Sequence, residues 1–162
     1  MRKTVYIIVL TIFIIGLNSS IPALALLREH HQSPGVLRYH AQHSIKDRQQ
    51  RAWQVILFPQ DELTETKYYL RLVGFPGLVH FIHPQSLEII TAKGVLIASD
   101  VFAPLAPAPN VGQYDVTEII SQFPSKGSVK LIFSLLKEDN QIEDITLKIS
   151  PAIITEWQWL YQ

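Results

Sequence analysis

The chain has no cysteine among its 162 residues and a single methionine. Without cysteine there is no disulfide frame, no thiolate metal site and no acylated cysteine to tether it to a bilayer. Neither sign of charge is in excess, with 14 Lys and Arg against 14 Asp and Glu. A surface that tracks phosphates needs a basic field, so nucleic acid is not an expected partner. Local signatures of catalysis are missing too. Ser44 and Ser99 lie in no Gly-x-Ser-x-Gly elbow, and there is no phosphate-cradling glycine loop and no paired-carboxylate motif. A hydrolase would have to assemble its site from distant residues.

What is present begins with Met1-Arg2-Lys3, an apolar run from Val5 to Leu17, then Asn18-Ser19-Ser20, Pro22 and Ala23-Leu24-Ala25. This order predicts a signal peptide over 1–25, cleaved after Ala25. The competing reading is a retained anchor, because Val5 to Leu27 is long enough to span a bilayer. Cleavage leaves 137 residues with 12 basic and 14 acidic side chains, a formal net charge of −2. One domain of that size buries about two thirds of its unfolded surface and needs no metal or disulfide to fold.

The rest reads as a 26–35 lead-in, flexible and ending in Ser33-Pro34-Gly35, followed by a single β-rich domain over 36–162. Eight short strands are expected: Val36 to Ser44, Trp53 to Phe58, Lys67 to Val73, Leu78 to Ile82, Leu87 to Thr91, Val95 to Ser99, Ser128 to Leu136 and Ile142 to Ile149. Their length and spacing predict an antiparallel sandwich or curled barrel. Asp100 to Tyr114, with Pro104, Pro107 and Pro109, reads as one long extended loop. Asp115-Val116-Thr117-Glu118 has capping-box spacing and predicts a short helix through Gln122. Ser150-Pro151 is an N-cap followed by proline at the first helical position, predicting a C-terminal helix with Ile153, Ile154, Trp157, Leu160 and Tyr161 along one stripe. The same tail also alternates as a strand would.

Six histidines fall at 30, 31, 40, 43, 80 and 83. His40 and His43 are three apart, as are His80 and His83, which on a strand sends each pair to opposite faces. A metal is therefore not expected, nor any other cofactor. Arg71, inside an apolar strand, needs a partner: a carboxylate such as Asp100 or Asp115, an escape to solvent, or an anionic ligand. On a helix Trp159 lies about 200° from Trp157 and cannot share its buried face. An exposed Trp is the kind of anchor that protein interfaces use.

Trp53 to Phe58, Tyr69 to Gly77 and Asn110 to Asp115, taken in order and joined by Glu156-Trp157, resemble a family of small exported cyanobacterial proteins catalogued only as a domain of unknown function. The resemblance covers nearly all of the mature chain. It implies export to the periplasm or thylakoid lumen and carries over no catalytic residue. The expected function is a non-catalytic binding or accessory module for a protein partner. Its expected binding residues are Arg71, Phe75, Asn110, Gln113, Tyr114, Asp115 and Trp159, with the loop from Pro104 to Asp115 and Trp159 forming the surface. The rival readings are a barrel-like carrier of an apolar small ligand, with Arg71 or Tyr68 at its mouth, and a hydrolase with a scattered site. Contact with a membrane surface is compatible with either binding role.

Overall fold

The computed structural model describes residues 28–33, 36–102, 106–124 and 126–161, with side chains from residue 39 onward. The expected leader over 1–25, the side chains of His30 and His31, and Pro104 lie outside the described residues. The strands are β1 (Arg28–Ser33), β2 (Val36–Lys46), β3 (Ala52–Asp61), β4 (Thr66–Val73) and β5 (His80–Phe81). They continue as β6 (Leu87–Thr91), β7 (Gly94–Asp100), β8 (Val111–Asp115), β9 (Val129–Leu136) and β10 (Ile142–Ile149), before a helix α1 (Pro151–Tyr161). Every pairing is antiparallel and the sheet order is β1-β2-β3-β4-β8-β7-β6-β9-β10, with β5 beside the end of β9. The protein is mainly β, a curled antiparallel sheet with one C-terminal helix. Among the described residues no helix is long and apolar enough to cross a membrane.

The curl follows from alternation. Ala41 faces Leu57, Leu57 faces Leu70, and Leu70 faces Tyr114, all buried on the concave side. On the other half, Ile89 faces Leu131 and Leu131 faces Leu147, again buried. One apolar face per strand must leave water, and rolling the sheet buries all of these faces against each other. Trp53 fills the interior edge-on to Phe133 at 5.0 Å and to Phe81 at 6.0 Å, and Phe81 stacks on Phe133. Such pairs add about 0.5–1.5 kcal/mol each beyond area burial.

Strand direction places the connections. β2, β4, β7 and β9 run one way, so residues 47–51, 74–79, 106–110 and 137–141 cluster at what we call the upper end. The helix and residues 116–124 occupy the lower end. Two strands were not anticipated: Arg28–Ser33, read as part of a flexible lead-in, pairs with β2, and Val111–Asp115 emerges from the end of the proline-rich segment to join β4. Gly112 lets β8 through, because a Cβ there would stand 2.7 Å from the Phe81 ring. The strand expected over Leu78 to Ile82 is only His80–Phe81, since Gly77 (φ 78°) and Pro76 hold the preceding residues in a turn.

The expected helix after Asp115 is a single 3-10 turn, Ile120–Gln122. Asp115 Oδ1 accepts the Thr117 N–H at 2.9 Å, which makes a local turn at the end of β8. The tail is helical, as its cap predicts: Ser150 Oγ accepts the Ile153 N–H at 3.4 Å, and Ile154 and Trp157 enter the core. The stripe differs at Glu156, which is 1% exposed, and at Tyr161, which lies against Tyr68 with its ring centroid 5.4 Å away.

Candidate functional site

The upper end concentrates exposed apolar side chains. β4 runs into Gly74, whose missing side chain is required by Val79 and Trp53: a Cβ would lie 2.3 Å and 2.9 Å from them. The chain then turns through Phe75-Pro76-Gly77-Leu78, closed by the Leu78 N–H to the Phe75 carbonyl at 3.2 Å. That turn leaves Phe75 68% and Leu78 70% exposed. At the β9–β10 tip, Leu136 and Ile142 are directly opposed across the strands, and Ile142 is 67% exposed. Beside turn and tip runs an open groove of about 480 Å3, lined by the apolar Leu78, Val79, Leu135 and Leu136 and by the polar Gln49, Arg51, Lys137, Glu138, Asp139 and Glu143.

A polar clamp fixes this end. Asp47, buried at the start of the β2–β3 turn, accepts from Trp53 Nε1 at 3.1 Å, Arg51 Nε at 2.7 Å, and the backbone N–H groups of Gln49 and Arg51. Arg51 also donates to both oxygens of Glu143 on β10, each at 3.0 Å, and Gln49 donates to the same carboxylate. The clamp thus ties the first long strands to the last. Burial pushes the Asp47 carboxyl up, but the donors from Trp53 and Arg51 outweigh it and hold the carboxyl below its ordinary value.

Of the expected binding residues, Phe75 and Asn110 belong to this end. Asn110 Nδ2 donates to the Gly74 carbonyl at 2.9 Å while the Gly74 N–H donates to the Asn110 carbonyl at 3.0 Å. With Phe81 N–H on the Pro109 carbonyl at 2.7 Å, these bonds strap the end of the proline-rich loop onto the turn. Asn110 is therefore a structural tie, itself buried.

Arg71, Gln113 and Asp115 lie on the convex face of β4 and β8, where Arg71 opposes Gln113 and Tyr69 opposes Asp115. Arg71 donates through Nε, at 2.8 Å, and Nη2 to Gln113 Oε1 and lies over the Phe58 ring at 5.1 Å. The anticipated carboxylate partners are not used. β4 is a central strand, so the guanidinium is satisfied by an amide and a ring, and burial alone lowers its pKa. Beside it Tyr69 donates to Glu62 at 2.8 Å; burial, then that bond, pushes the phenol up to about 12. Tyr114 points inward and is 1% exposed, so it is a core residue and not a contact.

Trp159 is 61% exposed but stands apart from the loop. Its neighbour Tyr161 packs on Tyr68 at the lower end of β4, whereas the loop is strapped to Gly74, six residues along, about 20 Å away at strand rise. The expected joint surface of loop and Trp159 is therefore two separate places. What sequence reading missed is Leu78, Leu136 and Ile142. The signal for Ile142 was legible: it heads the outward series Ile142, Asp144, Thr146, Lys148, where an apolar residue is out of place.

One histidine–carboxylate pair lies at the end of β7. His83 Nδ1 lies 2.6 Å from Asp100 Oδ2, and Asp100 also accepts the backbone N–H groups of Gln85 and Phe102. His83 Nε2 is buried with no hydrogen-bond partner among the described residues, and Ser134 Oγ is committed to Asp144 and Gln85. The pair offers an oriented base without a nucleophile. Among the described residues no three His, Asp or Glu side chains converge as a metal would require.

Residues 25–160 match the family described as "Protein of unknown function (DUF3122)". No curated protein and no solved structure matches the chain. The match spans most of the chain, both halves of the curled sheet and the helix, and the protein therefore belongs to this family.

Proposed function

We propose that this protein is an exported, non-catalytic accessory module that docks a protein partner through its upper end. The observation that carries the reading is the set of exposed apolar side chains at this end, Phe75, Leu78, Leu136 and Ile142, of which Leu78 and Leu136 also line the open groove, on an end held by the Asp47, Arg51 and Glu143 clamp. Burying such side chains against a partner yields about 1.5–3 kcal/mol each when they pass fully from water. A rigid platform loses little entropy on binding. In favour of docking over ligand carriage, the inward-facing space at Trp53, Phe81, Phe133 and Tyr114 is occupied by their own rings. Export rests on the order of residues in 1–25 and, for the periplasm or thylakoid lumen, on the resemblance to cyanobacterial proteins.

The test is native mass spectrometry of the mature protein extracted gently from its host, beside a Phe75→Ser, Leu78→Ser, Ile142→Ser triple variant and a Trp159→Ser variant. The expected result is a complex with one polypeptide at fixed stoichiometry, lost in the triple variant and kept in Trp159→Ser. A complex indifferent to the triple variant, or a small-molecule adduct on a monomer, overturns the reading.

A further inference from the structure

The C-terminal helix carries a buried acid that the docking surface does not use. α1 packs against β2, β3 and the 3-10 turn, inserting Ile154 and Trp157, with Trp157 5.8 Å from Phe123 and Gln158 Nε2 donating to the Phe123 carbonyl at 3.2 Å. On the same inner side Glu156 is 1% exposed and its Oε2 lies 3.0 Å from His43 Nε2 on β2. Both Glu156 oxygens and the histidine Nε2 are otherwise buried without partners among the described residues. Among the described residues, His43 is the ionisable side chain that acts on Glu156. The position facing His43 from β3 is Val55, and the 3-10 turn supplies Ile120 and Phe123. Lys148 of β10 and Glu118, ahead of the 3-10 turn, are exposed to solvent.

We propose that α1 is a proton-controlled closure of the curled sheet: it stays docked while the buried pair of Glu156 and His43 holds a proton and loosens when the pair loses it. A pair holding one proton is neutral overall, and removing that proton leaves a lone buried anion on Glu156, costly away from water. Burial holds the Glu156 carboxyl above its ordinary value, with His43 opposing. A carboxyl raised in this way contributes docking stability below its free value, and that contribution disappears as pH rises through the docked value. Docking is therefore strongest in acidic solution and declines as pH rises through the docked value of Glu156. Release uncovers Trp157, Ile154 and the inner face of β2.

The experiment is hydrogen exchange on the full mature chain from pH 4 to 9, corrected for intrinsic rates, following the amides of 151–161 with those of β9 as the internal reference. The expected result is protection of the helix that falls at least about tenfold toward pH 9 while β9 holds, a loss equivalent to about 1.4 kcal/mol. Glu156→Gln abolishes the alkaline decline because the amide never charges. His43→Gln makes the decline begin at lower pH, since the remaining carboxyl is tolerated only when protonated. Flat protection in the wild-type chain overturns the proposal without any variant, as does a Glu156→Gln helix that keeps the alkaline decline.

Discussion

Replacing Asp47 by Ala tests whether the upper end is held by one buried carboxylate. The substitution strips the Trp53 indole N–H, 1% exposed with its residue, of its acceptor. A buried donor left unsatisfied costs about 1–3 kcal/mol. The Gln49 and Arg51 backbone N–H groups lose acceptors at 2.8 Å and 3.0 Å, but water reaches this turn, so about 0.5 kcal/mol each is a fair allowance. Arg51 keeps Glu143, which limits the electrostatic loss. The total is about 3 kcal/mol, or a fall in Tm of roughly 10–15 °C for a domain of this size.

Thermal unfolding followed by circular dichroism supplies the number. Repeating it in a Trp53→Phe background supplies the mechanism: the Asp47→Ala loss should shrink there by about 1 kcal/mol or more, because the orphaned donor is gone. The pH profile gives a second reading of the same group. The Asp47 carboxyl is depressed in the folded protein, so its contribution is present above the ordinary carboxyl value and disappears as pH falls through the folded one. The wild-type chain should lose its advantage over Asp47→Ala as pH drops below about 4. A Tm change under about 3 °C at neutral pH, or equal losses in both backgrounds, would refute the clamp.

Two further outcomes bear on packing. Gly112→Ala should cost about 1–3 kcal/mol in urea unfolding, since its Cβ would stand 2.7 Å from Phe81 and 2.9 Å from the Tyr114 hydroxyl; an unchanged midpoint would mean β8 does not cross the ring as described. Trp157→Ala should lose about 3–5 kcal/mol and Trp159→Ala less than about 0.5 kcal/mol by the same assay, and equal losses would contradict the orientation of α1.

Much of the architecture was legible because local chemistry and tertiary need agree there. Trp53, Val55 and Leu57 alternate on β3 and are all buried, the Gly94 turn closes β6 onto β7, and Ser150 caps α1. In these stretches period, turn residues and caps point the same way, so a reader of the sequence reaches the fold class and most strand positions. The misses share a cause. β8 hid behind Pro107 and Pro109 because its five residues carry Gly112 and Gln113, which no propensity marks as a strand; cross-strand partners on β4 made it one. The short helix after Asp115 is one 3-10 turn that ends where Phe123 is extended ahead of Pro124, a position that disfavours helical backbone.

The amino-acid sequence by itself determined a β-rich chain free of disulfides and marked a cap for a terminal helix, while the choice of helix over strand for that tail, and with it the outward Trp159, came from the fold. Only the tertiary structure decided that Phe75 and Leu78 share an end with Leu136 and Ile142 while Trp159 stands at the other, since strand direction in the sheet fixes which connections meet. It alone decided that Arg71 rests on Gln113 and Phe58, and that Glu156 of the helix faces His43 of β2. Arg71 and Gln113 are 42 positions apart and His43 and Glu156 are 113 apart, and no local pattern encodes which distant side chain a folded sheet will bring within reach.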